Sequence, residues 1–225
     1  MHDVAKLRRV HTVTPRLAVF CGPSLPPLDR IAAEGVTYLP PAGRGDVERV
    51  ANEYDAVLLI DGVFHHDLAP SPKECYAATK VARMFGASSM GALRAAECWP
   101  YGFTPLGAIA RWYIREVIDG DDEVAVLTHP QTHVALTVPI VNVRYVAWLA
   151  YRRGILSKSE ADALILKSRD VFYMDRSWND VVAAAPDHAR AAVEMVACNE
   201  GDLKRWDAQF SLRSVLRLLR LREAA

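Results

Sequence analysis

Apolar residues come in short unbroken runs over the first part of the chain and at helical spacing over the rest. Leu17–Cys21 (LAVFC) and Ala56–Ile60 (AVLLI) are continuous apolar runs closed by Gly-Pro and Asp-Gly. Such runs read as strands buried on both faces, the kind found in parallel sheets. Val36–Leu39 and a short stretch near Ala82–Gly86 are further strand candidates. Helical segments fall between them. A short helix follows Ser24 and ends near Gly35, Asp46–Glu53 is a second, and a third runs from Ser71 to about Lys80. The third starts well, because Ser71 can cap, Pro72 suits the first turn and Glu74 completes a capping box. Ser88-Ser89 then opens a helix from Met90 to about Cys98, stopped by Pro100. Strand and helix alternating over short links predict a three-layer α/β fold with a parallel sheet. Crossover handedness puts the helix starts at the carboxyl edge of that sheet.

The pattern changes toward the C-terminus. Leu106–Ile118 reads as a helix and Glu123–Leu127 as a short strand. Asn142–Arg153 is helical, and Ser157-x-x-Glu160 is a second capping box, opening a helix to about Val171. Ser177–Ala184, Asp187–Cys198 and Leu203–Glu223 also read as helices. The expected organisation is an α/β domain over residues 1–140 and an all-helical extension over 141–225, packed on the first part and not independent of it.

Composition narrows the function classes. The chain has 225 residues, 51% hydrophobic and 24% charged, with 27 basic and 27 acidic side chains. A net charge of zero argues against a nucleic-acid partner. No run of about 18 apolar residues is present, so no membrane span is expected. The N-terminus lacks the apolar core of a secretory signal, and the four cysteines are scattered, which fits a cytoplasmic protein with reduced thiols. No cofactor is implied. Only six of the 27 basic residues are lysine.

Gly86–Glu97 (GASSMGALRAAE) holds the best candidate chemistry. A strand there feeds two serines into the first turn of a small-residue helix, whose leading N–H groups lack internal partners. Ser89 or Ser88 at this turn is either a plain N-cap or a nucleophile beside oxyanion donors, here the N–H groups of Met90 and Gly91. A serine nucleophile needs a base. Lys73, in the first turn of its own helix, is the suggestive one, with a solvated surface lysine as the alternative. His65-His66-Asp67 with the acidic run Asp119–Glu123 could serve a metal-dependent hydrolase, though adjacent histidines diverge and a metal is not expected. Arg94 either pairs with Glu97 one turn away or meets a carboxylate. Cys75 and Cys98 are expected to pack. The last helix sets arginines 213, 217, 220 and 222 around an apolar stripe.

Several segments together resemble the TfuA family, which accompanies YcaO enzymes in peptide-backbone thioamidation. They are VFCGPSL at 19–25, LPPAGRGD at 39–46, LLIDGVF at 58–64, SPKE at 71–74, GASSMGALRAAE at 86–97, DGDDEVAV at 119–126, PIVNVR at 139–144 and YMDRSW at 173–178. Two places depart from the family pattern: Ala82 stands where a glycine is expected, and PYGFTPLG at 100–107 lacks a Gly-Met pair. The resemblance implies a serine-type hydrolase that releases sulfide from a thiocarboxylated ThiS-like carrier protein and helps YcaO engage its substrate. It implies a Ser–Lys pair, placed on Ser89 and Lys73, with Ser88 and Ser24 as reserve serines. Met90, Gly91, Asp61 and Arg94 would contact the oxyanion or the carrier's tail, and the helical part would contribute to the YcaO dock. A non-catalytic adaptor of YcaO is the alternative from another class.

Overall fold

A computed structural model of the chain describes residues 14–64 and 68–221. His65, His66 and Asp67 lie outside the described residues. Five strands form one sheet: β1 (Leu17–Phe20), β2 (Val36–Leu39), β3 (Ala56–Leu59), β4 (Arg83–Gly86) and β5 (Thr104–Pro105). Their order is β2-β1-β3-β4-β5, and every neighbouring pair is parallel. Leu17 sits opposite both Val36 and Ala56, so β1 is central, and all four residues of β1 and of β3 are buried. That explains their uninterrupted apolar sequence.

The helices are α1 (Asp46–Ala51), α2 (Pro72–Ala78), α3 (Met90–Cys98), α4 (Gly107–Ile114), α5 (Ile140–Arg152), α6 (Lys158–Arg169), α7 (Trp178–Ala184), α8 (Arg190–Glu200) and α9 (Leu203–Leu219). Alternation along the strands sorts the two faces of the sheet. Ala18, Phe20, Val57 and Leu59 pack against α1, α2 and α3 through Val47, Val50, Cys75, Ala78 and Ala95. Leu17, Val19, Leu58 and Ile60 face the other way and meet Leu212, Val215, Leu216 and Leu219 of α9. The three-layer fold expected from sequence is therefore present, and its second helical layer is the last helix of the chain. Helices α5 to α8 form a core of their own, with Val143, Val146, Leu164, Val181 and Val193 buried together. The helical region thus divides: part is a separate bundle, and α9 belongs to the sheet.

Local expectations fail in three places. The helix after Ser24 is only a single 3-10 turn, Pro27–Asp29, because three prolines at positions 23, 26 and 27 remove the N–H donors a longer helix needs. Glu123–Leu127 is not a strand. A 3-10 turn spans Asp121–Glu123, and the wholly buried Glu123 carboxylate is held by Arg144 in two parallel bonds of 2.8 and 2.6 Å. Beyond it the chain folds back on itself, with Thr128 bridging antiparallel to Ala135. The two-residue β5 is too short to leave a sequence pattern.

Helix α3 lies directly on β3. A Cβ at Gly91 would overlap the Leu59 carbonyl oxygen, so only glycine permits this approach. Gly91→Ala must push backbone away from backbone. It should lower stability by about 3 kcal/mol, the upper range for overpacking, read as a lower urea midpoint with an unchanged m-value.

Candidate active site

Strand order reverses between β1 and β3, and the carboxyl ends of such strands are where ligands enter open α/β sheets. Ser24 follows β1, Asp61 follows β3 and Ser88-Ser89 follow β4, so three of the sequence-predicted segments meet at this edge. The Asp61 side chain is buried. One of its oxygens accepts the N–H groups of Gly22 at 2.7 Å and Ser24 at 3.1 Å, and the other accepts the Ser24 hydroxyl at 2.7 Å. The Ser24 hydroxyl proton is thereby committed to Asp61.

Ser88 is also committed. Its hydroxyl donates to the Lys204 carbonyl at 2.7 Å and its N–H donates to the Asp207 carboxylate at 3.0 Å. Its φ of 64° is left-handed, a conformation that costs about 1–3 kcal/mol for a non-glycine residue. The strained turn throws the next residue, Ser89, onto the start of α3. Ser89 is 1% exposed and occupies the N-cap position, yet its hydroxyl makes no capping bond and has no partner among the described residues. Elsewhere in the chain Ser71, Ser157 and Ser177 all close full capping boxes with Glu74, Glu160 and Asp180. In α3 the matching position is Ala92, which has no carboxylate to offer. Ser89 instead lines a cavity of about 210 Å³, together with Asp61, Gly62, Phe64, Val126 and His133.

The expected oxyanion donors divide. Gly91 donates its N–H to the Ile60 carbonyl at 3.0 Å, so it is not available to a ligand, and its place in the site is corrected to that of a packing residue. Met90 is the first residue of α3, and its N–H has no acceptor among the described residues. Arg94 lies one step away. It donates to the Pro70 carbonyl at 2.6 Å and to Glu97 at 2.7 Å, on the wall of a neighbouring cavity of about 540 Å³ that also holds Asp121, Asp122 and Tyr173. Phe64 lines both cavities.

Lys73 stands in the first turn of α2 with an exposed side chain, outside the cavity that Ser89 lines. The lysine inside the fold is Lys204, at the start of α9 and 3% exposed. Its ammonium donates to the Val124 carbonyl at 2.8 Å. Burial strips water from that ammonium and lowers its pKa, and the charges of Asp61 and then Asp202 act against that lowering. Lys204 falls on the same helical stripe as Ala208, Ser211, Leu212 and Val215, all buried, which is the signal in the chain that marks it. Among the described residues no group of three or more His, Cys, Asp or Glu side chains could hold a metal ion. Cys75 and Cys98 are buried packing residues, and burial raises both thiols.

A family model described as TfuA-like protein matches residues 61–177, which is 117 of the 225 residues. The chain belongs to the TfuA-like family. No curated protein matches it. The match begins at Asp61 and takes in α3 with Ser89, while α9, which supplies Lys204 and Asp207, lies beyond it. Within the matched span Arg176 of this TfuA-like chain is a structural clamp: it is 1% exposed and donates to the carbonyls of Ser168, Val138 and Val171.

Asp207 ties the site to α9, and burial raises its carboxyl from 3.8 to about 6. A raised carboxyl stabilises the fold fully below its unfolded pKa, and that contribution is lost as pH rises through about 6. Between pH 4 and 7 the native protein should therefore lose stability relative to Asp207→Asn, by about 3 kcal/mol at most, at 1.4 kcal/mol per unit. Urea titrations of both proteins across that range check it, and a difference that stays constant with pH would show that Asp207 does not titrate there.

Proposed function

We propose that this TfuA-like protein is a serine hydrolase that releases sulfide from a thiocarboxylated, ThiS-like carrier, in support of a YcaO enzyme that thioamidates a peptide or protein. The observation that carries the reading is the Ser89 hydroxyl, buried at a helix start, uncapped, and facing a cavity beside Asp61. A serine used only as a cap would hold a helix N–H, as Ser71, Ser157 and Ser177 do. In this reading Ser89 Oγ attacks the carbon of the carrier's C-terminal thiocarboxylate. The hydroxyl proton passes to a lysine and from there to the sulfur, hydrosulfide leaves, and water cleaves the acyl ester to a carboxylate.

Two lysines compete for the proton. Lys73 is the partner implied by the family resemblance, but its side chain is exposed and lies outside the cavity that Ser89 lines. Lys204 is favoured by its burial, by its lowered pKa and by Asp61, which opposes that lowering and is a wall of the Ser89 cavity; Lys204 itself lines an adjoining cavity that shares Pro23 and Val126 with it.

Mixing the protein with thiocarboxylated carrier and measuring sulfide tests the function. Ser89→Ala should abolish release, and Ser88→Ala should preserve it while lowering stability by about 1 kcal/mol through the lost bond to Lys204. Turnover retained in Ser89→Ala would leave only an adaptor role toward YcaO. Lys204→Met should lower kcat by about 10²–10⁴, the usual share of a general base, and Lys73→Ala should leave it unchanged. Activity should rise with pH to a plateau reached below the ordinary lysine range, since the base must be neutral and burial lowers its pKa. A collapse of activity in Lys73→Ala with Lys204→Met active would return the base to Lys73.

A further inference from the structure

We propose that the backbone N–H groups of Gly62 and Met90 together bind the oxyanion at Ser89. The inference rests on reading Ser89 as the nucleophile and identifies a donor that the sequence did not point to. Gly62 follows β3 and forms a parallel bridge with Ala42. In that bridge the Ala42 N–H donates to the Asp61 carbonyl at 3.0 Å, and the Val63 N–H donates to the Ala42 carbonyl at 2.9 Å. The groups flanking Gly62 therefore face Ala42, and the pleat turns Gly62's own N–H to the opposite side. On that side β3 meets the β4–α3 turn: Ala87 N–H donates to the Leu59 carbonyl at 3.1 Å and Gly91 N–H to the Ile60 carbonyl at 3.0 Å. The Gly62 N–H thus points toward the start of α3, and among the described residues it has no acceptor.

Close packing fixes the distance. A Cβ on Gly62 would lie 2.8 Å from Met90 Cγ and 3.1 Å from Met90 Cβ, so the two residues are in direct contact. Gly62 and Ser89 line the same cavity of about 210 Å³. The Met90 N–H is the leading donor of α3, at the positive end of its dipole. Gly62, in the loop after a neighbouring strand, thus borders the cavity into which a 1% exposed, unpartnered serine hydroxyl opens, and Met90, the residue after the nucleophile, touches Gly62 with its own N–H unsatisfied among the described residues. Donors so arranged are the requirement for stabilising an oxyanion formed on Ser89.

The test uses the full chain, labelled with ¹⁵N and treated with a fluorophosphonate. Attack by Ser89 forms an Oγ–P bond, breaks the P–F bond, releases fluoride and passes the hydroxyl proton to solvent, leaving a phosphoryl oxygen where the oxyanion would sit. Mass spectrometry locates the adduct, and amide spectra compare the free and modified protein. The Gly62 and Met90 amide protons should both move downfield and exchange more slowly, while Gly91, already bonded to Ile60, should not. An adduct on Ser89 that leaves the Gly62 amide unmoved overturns the pair and spares the nucleophile. No adduct on Ser89 overturns the nucleophile, and the pair with it.

Discussion

The architecture of this edge depends on one carboxylate. Asp207, on α9, accepts the N–H of Ser88 at 3.0 Å and also the N–H of Ala108 at the start of α4, joining residues 119 and 99 positions apart. Without it the Ser88 N–H, at the strained turn, would be buried and unsatisfied, at a cost of about 1–3 kcal/mol. The same helix receives the Ser88 hydroxyl on the Lys204 carbonyl. What keeps α9 in place is apolar burial against Leu17, Val19, Leu58 and Ile60. Hydrophobic packing between α9 and the sheet thus holds a left-handed serine whose geometry delivers Ser89.

That dependence explains why the site was only partly readable in the chain. Runs such as LAVFC and AVLLI announce buried parallel strands because nothing polar can be tolerated on either face, and the strands lie where they were expected. Ser24, Asp61 and Ser89 were legible because strand ends followed by small or polar residues collect at one sheet edge. The uncapped state of Ser89 had a local signal as well: three other N-cap serines are followed at the third position by Glu or Asp, and Ser89 is followed by Ala92.

Lys204 and Asp207 were harder for a physical reason. They sit at the start of α9, upstream of the arginines that flank its apolar stripe. Extending the stripe back by whole turns from Val215 through Ser211 and Ala208 reaches Lys204 and Asp207, both buried. A charged residue on an apolar stripe is the useful signal, because burial must be compensated by specific partners. Those partners, Val124, Ser88 and Ala108, lie 80 to 119 residues away, and no local pattern encodes them. Gly62 was hidden for a related reason: a free N–H becomes visible only when every neighbouring bond has been traced.

Under the proposed chemistry these parts also resolve an electrostatic conflict. A thiocarboxylate is an anion, and it must come close to Asp61. Two like charges 4 Å apart repel by about 4 kcal/mol at an effective dielectric of 20. Three donors from Gly22 and Ser24 already surround the Asp61 carboxylate and offset its field. A charged Lys204 would attract the incoming anion, but a charged lysine cannot take the Ser89 proton. Backbone donors remove the conflict, because the N–H groups of Gly62 and Met90 hold negative charge at any pH without titrating. Charge binding and proton transfer then fall to different groups. Lys204 is left free to be neutral when Ser89 attacks, which is the state its burial already favours.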